Sequence, residues 1–228
     1  EFRRVLFRSG NAAIAVLDAQ TLAVRQTWPT PSHPTEMVLS PDGNILFAAC
    51  SNSTQAVSID TQTGRIREVL NCALYPTAPS GNTPSSLSMS PDGATLAVAN
   101  ADNNNIAVIH VGEEEESNVM GFIPSPWYPS ALQVSKDGKF LFVGTSKGMG
   151  GYSNERGPHS PLAVSGEEGK GSVKSLQRGS IGVVPLTNLK NQIKEWTRQA
   201  MANSPYHDDL LSRAKAPTAG PTIVPSQV

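Results

Sequence analysis

The tetrapeptide Ser40-Pro41-Asp42-Gly43 recurs as Ser90-Pro91-Asp92-Gly93 and, with one change, as Ser135-Lys136-Asp137-Gly138. The copies lie 50 and then 45 residues apart, and their surroundings repeat with them. A proline stands six residues before each serine, at Pro34, Pro84 and Pro129. A short alternating run fills each interval (residues 36–39, 86–89 and 131–134), and a stronger β run follows each glycine (45–48, 95–98 and 140–143). Asp-Gly between two β-prone runs predicts a hairpin, because Gly takes the positive φ that the turn or its bulge requires. A calcium loop is disfavoured: one carboxylate per turn supplies too few oxygens for an ion that takes about 6–8.

Two further strands complete each unit. Residues 55–60, 106–110 and 180–184 share one character, and outer strands follow at 65–70 and 118–123. Residues 12–28 read as the last two strands of an earlier repeat. Four short antiparallel strands at this period is the spacing of propeller blades. A sandwich also uses many short strands, but it does not predict the same turn at a fixed period. The expected fold is all-β: a partial β-propeller of four-stranded antiparallel blades over residues 10–186, cut off at the N-terminus. Plentiful glycine (19) and proline (18) agree with many short elements joined by turns.

After the last strand the period changes. Leu189, Ile193, Trp196 and Ala200 fall at steps of 4, 3 and 4, one stripe of a helix within residues 187–206, with Thr187 or Asn188 to cap it. The stripe is expected to dock on the propeller or on an adjacent domain. Residues 207–228 end in an Ala/Pro/Thr-rich stretch and read as a linker. At the other end, residues 1–9 (EFRRVLFRS) match the translation of a widely used short-read sequencing adapter and are set aside as an artefact. On that reading the native N-terminus, with any targeting signal, is missing.

Other function classes are constrained by composition. Charged residues make up 16% and the net charge is −1, which gives no electrostatic reason to expect nucleic acid as a partner. No apolar run is long enough to span a membrane. Cys50 and Cys72 form neither a disulfide framework nor a zinc site by spacing, and an intervening strand disfavours their pairing. The glycine-rich stretch 147–158 lacks the order of a phosphate loop. His207-Asp208-Asp209 are adjacent, and three adjacent residues cannot converge on one ion as its ligands. No metal site and no catalytic residue is therefore assigned.

The repeat resembles the YVTN-type β-propeller family, whose blades carry a Ser-Pro-Asp-Gly turn followed by a Leu-Tyr-Val-Thr-Asn-like strand. The corresponding strands here are Leu46-Phe47-Ala48-Ala49-Cys50, Leu96-Ala97-Val98-Ala99-Asn100 and Leu141-Phe142-Val143-Gly144-Thr145. A second resemblance rests on Asn154-Glu155-Arg156-Gly157-Pro158, on the strand from Gly179, and on the helix ending Thr197-Arg198-Gln199 and Asn203-Ser204-Pro205-Tyr206. These look like bacterial two-domain proteins in which such a propeller precedes a phosphoesterase domain of the alkaline phosphatase superfamily. The resemblance implies a secreted or periplasmic scaffold or ligand-recognition module without chemistry of its own. Its partner is then the phosphoesterase domain in cis, and a divalent metal is implied only for that domain, with no cofactor in the propeller.

Propeller geometry puts the insert 146–178 and the segments around His33, Thr83 and Trp127-Tyr128 on the face opposite the Asp-Gly turns. Trp127 and Tyr128, beside Arg156 and His159, are the candidate residues for a small polar ligand, against simple packing of the two rings between blades. Asp42, Gly43, Asp92, Gly93, Asp137 and Gly138 are assigned to the turns. The alternatives are a propeller enzyme of lactonase type, or a repeat protein of cell-surface adhesion. The former needs convergent carboxylates or histidines, and His33, His110, His159 and His207 share no repeat position.

Overall fold

The computed structural model describes residues 12–112, 116–149 and 177–204. The first sheet pairs β1 (Ala13–Leu17) with β2 (Val24–Pro29). A four-stranded blade follows, β3 (Pro34–Leu39), β4 (Ile45–Cys50), β5 (Gln55–Asp60) and β6 (Ile66–Asn71), and then another, β7 (Pro84–Met89), β8 (Thr95–Asn100), β9 (Asn105–His110) and β10 (Asn118–Pro124). The fourth sheet comprises β11 (Pro129–Val134), β12 (Phe140–Thr145) and β13 (Ser180–Pro185), and the chain then enters α1 (Leu189–Asn203). Every strand pairs antiparallel with its neighbour in sequence, so each sheet is a meander.

The repeated turn explains its own residues. Gly43, Gly93 and Gly138 have φ of 74°, 75° and 70°. Each serine hydroxyl donates to the Asp Oδ1 two residues on, at 2.5, 2.5 and 2.6 Å. The same hydroxyl accepts the N–H that opens the next strand, from Ile45, Thr95 and Phe140, at 2.9, 2.9 and 3.0 Å. Ser and Asp thus close the hairpin from inside, while the second position makes none of these bonds. That freedom explains why Lys136 can stand where Pro41 and Pro91 do.

Three apolar layers lie between successive sheets. Ile14 and Trp28 of the first meet Ala48, Cys50, Val57 and Ile59 of the second. On the other side of the second blade, Phe47, Ala49 and Leu70 meet Leu87, Leu96, Val98 and Ile109. Ile106 and Val108 then meet Leu132, Leu141 and Val143. Along β4 and β8 consecutive residues serve opposite layers, the period of two that a strand buried on both faces imposes.

The inner strands are joined by side chains. Glu36 of β3 accepts the Leu87 N–H at 2.9 Å. Ser86 and Ser88 of β7, both buried, accept the N–H groups of Leu132 and Val134 at 3.0 and 2.8 Å. Thr35 and Ser85 donate to the Pro84 and Pro129 carbonyls of the following blade, at 3.2 and 3.0 Å. Edge amides that no strand pairs are satisfied in this way.

Helix α1 packs on β10 through Ile193 and Ala200, which are buried, and through Leu189 and Trp196, which are partly so. Asn188 is the N-cap residue but makes no side-chain capping bond.

Candidate functional site

On the face opposite the Asp-Gly turns the repeat produces a second shared device. His33, Thr83 and Tyr128 each precede the proline that opens an inner strand, and each has a left-handed backbone, φ 37°, 52° and 62°. An L residue before proline is disfavoured there on both counts. The conformation turns each carbonyl toward the segment after the second strand, where it accepts the N–H of Ser51, Ala101 or Ser146 at 3.0, 3.0 and 2.9 Å. Backbone strain held at equivalent places around one face is the kind found at binding sites.

The fourth sheet carries the most developed version. The Trp127 N–H donates to the Gly148 carbonyl at 2.7 Å, and the Lys147 N–H to the Trp127 carbonyl at 3.2 Å. Asn104, in the third blade, accepts the Tyr128 N–H on its side chain at 2.8 Å and the Ser125 N–H on its carbonyl at 3.0 Å. Gly148 (φ 54°) lies against the Arg178 carbonyl, where a Cβ would come within 2.2 Å. Held by these bonds, Trp127 stays 50% exposed and the Lys147 ammonium sits 4.4 Å from the centroid of the Tyr128 ring. Trp127 thus stands at the surface, while Tyr128 is half-buried. At the equivalent place in the third blade the Thr83 hydroxyl donates to Asp102 Oδ2 at 2.5 Å.

Of the four expected ligand-binding residues, Trp127 and Tyr128 are thus brought together. Arg156 and His159 lie outside the described residues. Lys147, Asn104 and Asp102 escaped the sequence reading, although their places immediately after β12 and β8 follow from the repeat. Among the described residues no group of three or more His, Cys, Asp and Glu is placed to hold a metal ion, and no helix is long and apolar enough to cross a membrane. Cys50 and Cys72 are free and buried; burial pushes the Cys72 thiol up to about 12 and raises Cys50 as well.

Successive four-stranded meanders, stacked through apolar layers and carrying strained residues on one face, define a β-propeller. The family profile described as "Lactonase, 7-bladed beta-propeller" matches residues 34–160, and the chain belongs to that family. A protein from Lactobacillus plantarum of known structure is 25% identical, with a TM-score of 0.50 over 59% of this chain and 41% of that one. A protein from Bacteroides uniformis, provisionally described as a 6-phosphogluconolactonase, is 19% identical over 57% of this chain and 40% of that one, TM-score 0.48. The hydrazine synthase of Kuenenia stuttgartiensis is 26% identical over 50% of this chain and 29% of that one, TM-score 0.42. The chain therefore spans well under half the length of each of these structures. No curated protein matches it.

Proposed function

We propose that this chain forms part of a lactonase-type propeller that binds a sugar lactone on the face bearing Trp127, Tyr128 and Lys147. Membership of the lactonase family is the observation that carries this reading, and it favours the enzyme alternative over the phosphoesterase scaffold. The chemistry of the face agrees with it. An exposed indole offers a flat apolar surface for a sugar ring. The Lys147 ammonium is held over Tyr128 by the cation–π contact, leaving its donors for a carbonyl or an anionic substituent. Ester hydrolysis passes through a tetrahedral oxyanion, and a fixed cation beside it is the usual means of stabilising that charge. Lys147 is the described residue suited to that role, Trp127 to positioning.

Acid release from glucono-δ-lactone, followed against the uncatalysed background, tests the proposal. Turnover is expected, and Lys147→Ala should lower kcat/KM about tenfold to a hundredfold, as loss of one stabilising donor does. Activity untouched by both Lys147→Ala and Trp127→Ala would remove this face from the reaction. If this chain opens no lactone, the reading of a recognition module without chemistry of its own replaces this one.

A further inference from the structure

The opposite side of the molecule carries a groove that lactone chemistry does not use. It runs between the second and third blades, from the ends of β3 and β7 to the end of β9, and encloses about 770 Å³. Ile45, Phe47, Met89 and Val111 give it an apolar floor. Asp42 and Asp92 line its rim, and His110 lies at its far end. Bonds from the Ser40 and Ser90 hydroxyls, then from the turn amides, hold both carboxyls below their ordinary range, so both are ionised at neutral pH. In Asp92 both bonds of the turn fall on Oδ1. All these residues belong to two complete adjacent blades, so the groove does not depend on the open ends of the array.

The next groove round, between the third and fourth blades, shows what such walls accommodate. It has the same pair of turn carboxylates, Asp92 and Asp137, but encloses only about 310 Å³. Lys136 lines it at the position where the third blade has Pro91. Leu186 stands where the larger groove has the shorter Val111, and Leu189 at the start of α1 adds a second leucine. Here the chain itself provides aliphatic bulk, and the Lys139 ammonium lies 3.7 Å from Asp137. Between the second and third blades Ala94 stands where the fourth blade has Lys139, so that position brings no cation to Asp92.

We propose that the groove between the second and third blades binds a small organic cation with an apolar body, its charge held by Asp42 and Asp92 and its chain lying on Ile45 and Met89. A primary alkylammonium is the simplest member of the class. The volume is that of a small-molecule site, and a few polar groups over an apolar floor is the usual composition of one. Burial of an apolar chain supplies affinity, while two exposed carboxylates supply selection for positive charge and a dependence on salt.

The test is calorimetric titration of the whole chain with n-hexylammonium, against hexan-1-ol as the neutral analogue. Saturable binding is expected, about tenfold or more tighter than the alcohol and weakening as salt is raised. The Asp42→Asn/Asp92→Asn pair should weaken it by about tenfold or more. So should Ala94→Lys, which installs in this groove the lysine the fourth blade carries as Lys139 and so keeps the test available if the carboxamide pair does not fold. Lys147→Ala, on the other face, should leave it unchanged, which separates this site from the lactone site. Equal binding of the alcohol, binding that survives both groove variants, or no saturation up to about 10 mM ligand would each overturn the proposal.

Discussion

The buried amide of Asn100 donates to the Cys72 carbonyl at 2.8 Å and to Asn105 Oδ1 at 2.9 Å, and accepts from Asn82 at 2.8 Å. Asn82 also donates to Cys72 O at 3.1 Å, so two side chains grip the end of the second blade. Asn100→Ala takes one partner each from the buried Asn82 and Asn105 side chains, and the expected loss is about 1–3 kcal/mol of unfolding free energy, read by urea denaturation. The Leu-Ala-Val-Ala-Asn run was visible in the sequence, but what its asparagine does was not: Cys50 and Thr145 stand at the same place in other blades and make different bonds. A smaller repeat also lay in plain view, Asp18-Ala19-Gln20-Thr21 and Asp60-Thr61-Gln62-Thr63. Asp18 accepts the Thr21 N–H and hydroxyl at 2.7 and 2.9 Å and the Gln20 N–H at 3.0 Å, with Arg25 also bonded to it. These bonds bring its carboxyl down from 3.8 to about 2. Because the folded value lies below the unfolded one, its stabilising contribution is complete above the ordinary carboxylate range and is lost as pH falls toward 2. A carboxyl titration by NMR should place the Asp18 midpoint well below those of unstructured aspartates. Burial also keeps both thiols protonated, so Cys50 and Cys72 should resist a thiol reagent until the protein is unfolded.

Helix α1 depends on one strand residue. At Gly121, where β10 shifts register against β9, an added Cβ would lie 2.3 Å from Thr197 Oγ1 and 2.7 Å from Ile193 Cγ1. The bare backbone lets the helix approach closely enough for the Phe122 N–H to reach the Thr197 hydroxyl at 2.8 Å, a hydroxyl that itself donates to the Ile193 carbonyl at 2.7 Å. Gly121→Ala should lift the helix, costing about 1–3 kcal/mol as overpacking does, and hydrogen exchange should quicken in residues 189–203 ahead of the strands. The helical stripe was legible because Leu189, Ile193, Trp196 and Ala200 follow a 3.6 period wherever the helix goes. Its seat was not, since a glycine in a strand says only that something comes near. The inter-blade bonds of Ser86 and Ser88 were hidden for a related reason: serine at an alternating position reads as solvent-facing until the neighbouring strand is in place.

As a whole the described structure has two unequal sides. Apolar layers fill the spaces between neighbouring blades, while the fourth leaves Phe140, Phe142, Ile181 and Val183 exposed, Ile181 by 80%. Met37 and Leu39 of β3 are also about half exposed. A blade is stable only between neighbours, so these faces should drive self-association of this chain. Sedimentation velocity is expected to show concentration-dependent oligomers, reduced by Phe142→Glu combined with Val183→Glu; a concentration-independent monomer would contradict this. At this scale the sequence was most informative, because a turn repeated at the period of a blade leaves few architectures open. It was least informative about chemistry, since the face with Trp127, Tyr128 and Lys147 is assembled by Asn104 and Gly148 from separate parts of the chain.

The side-chain acceptors between inner strands all run one way: Glu36 serves β7, and Ser86 and Ser88 serve β11. Among the described residues, these inner-strand acceptors of the second and third blades serve the blade that follows in the chain. During synthesis from the N-terminus the acceptor is already in place when the strand that needs it emerges. The array has an arrow, and its growth follows the ribosome's: β7 and β11 each meet an acceptor that is already in place.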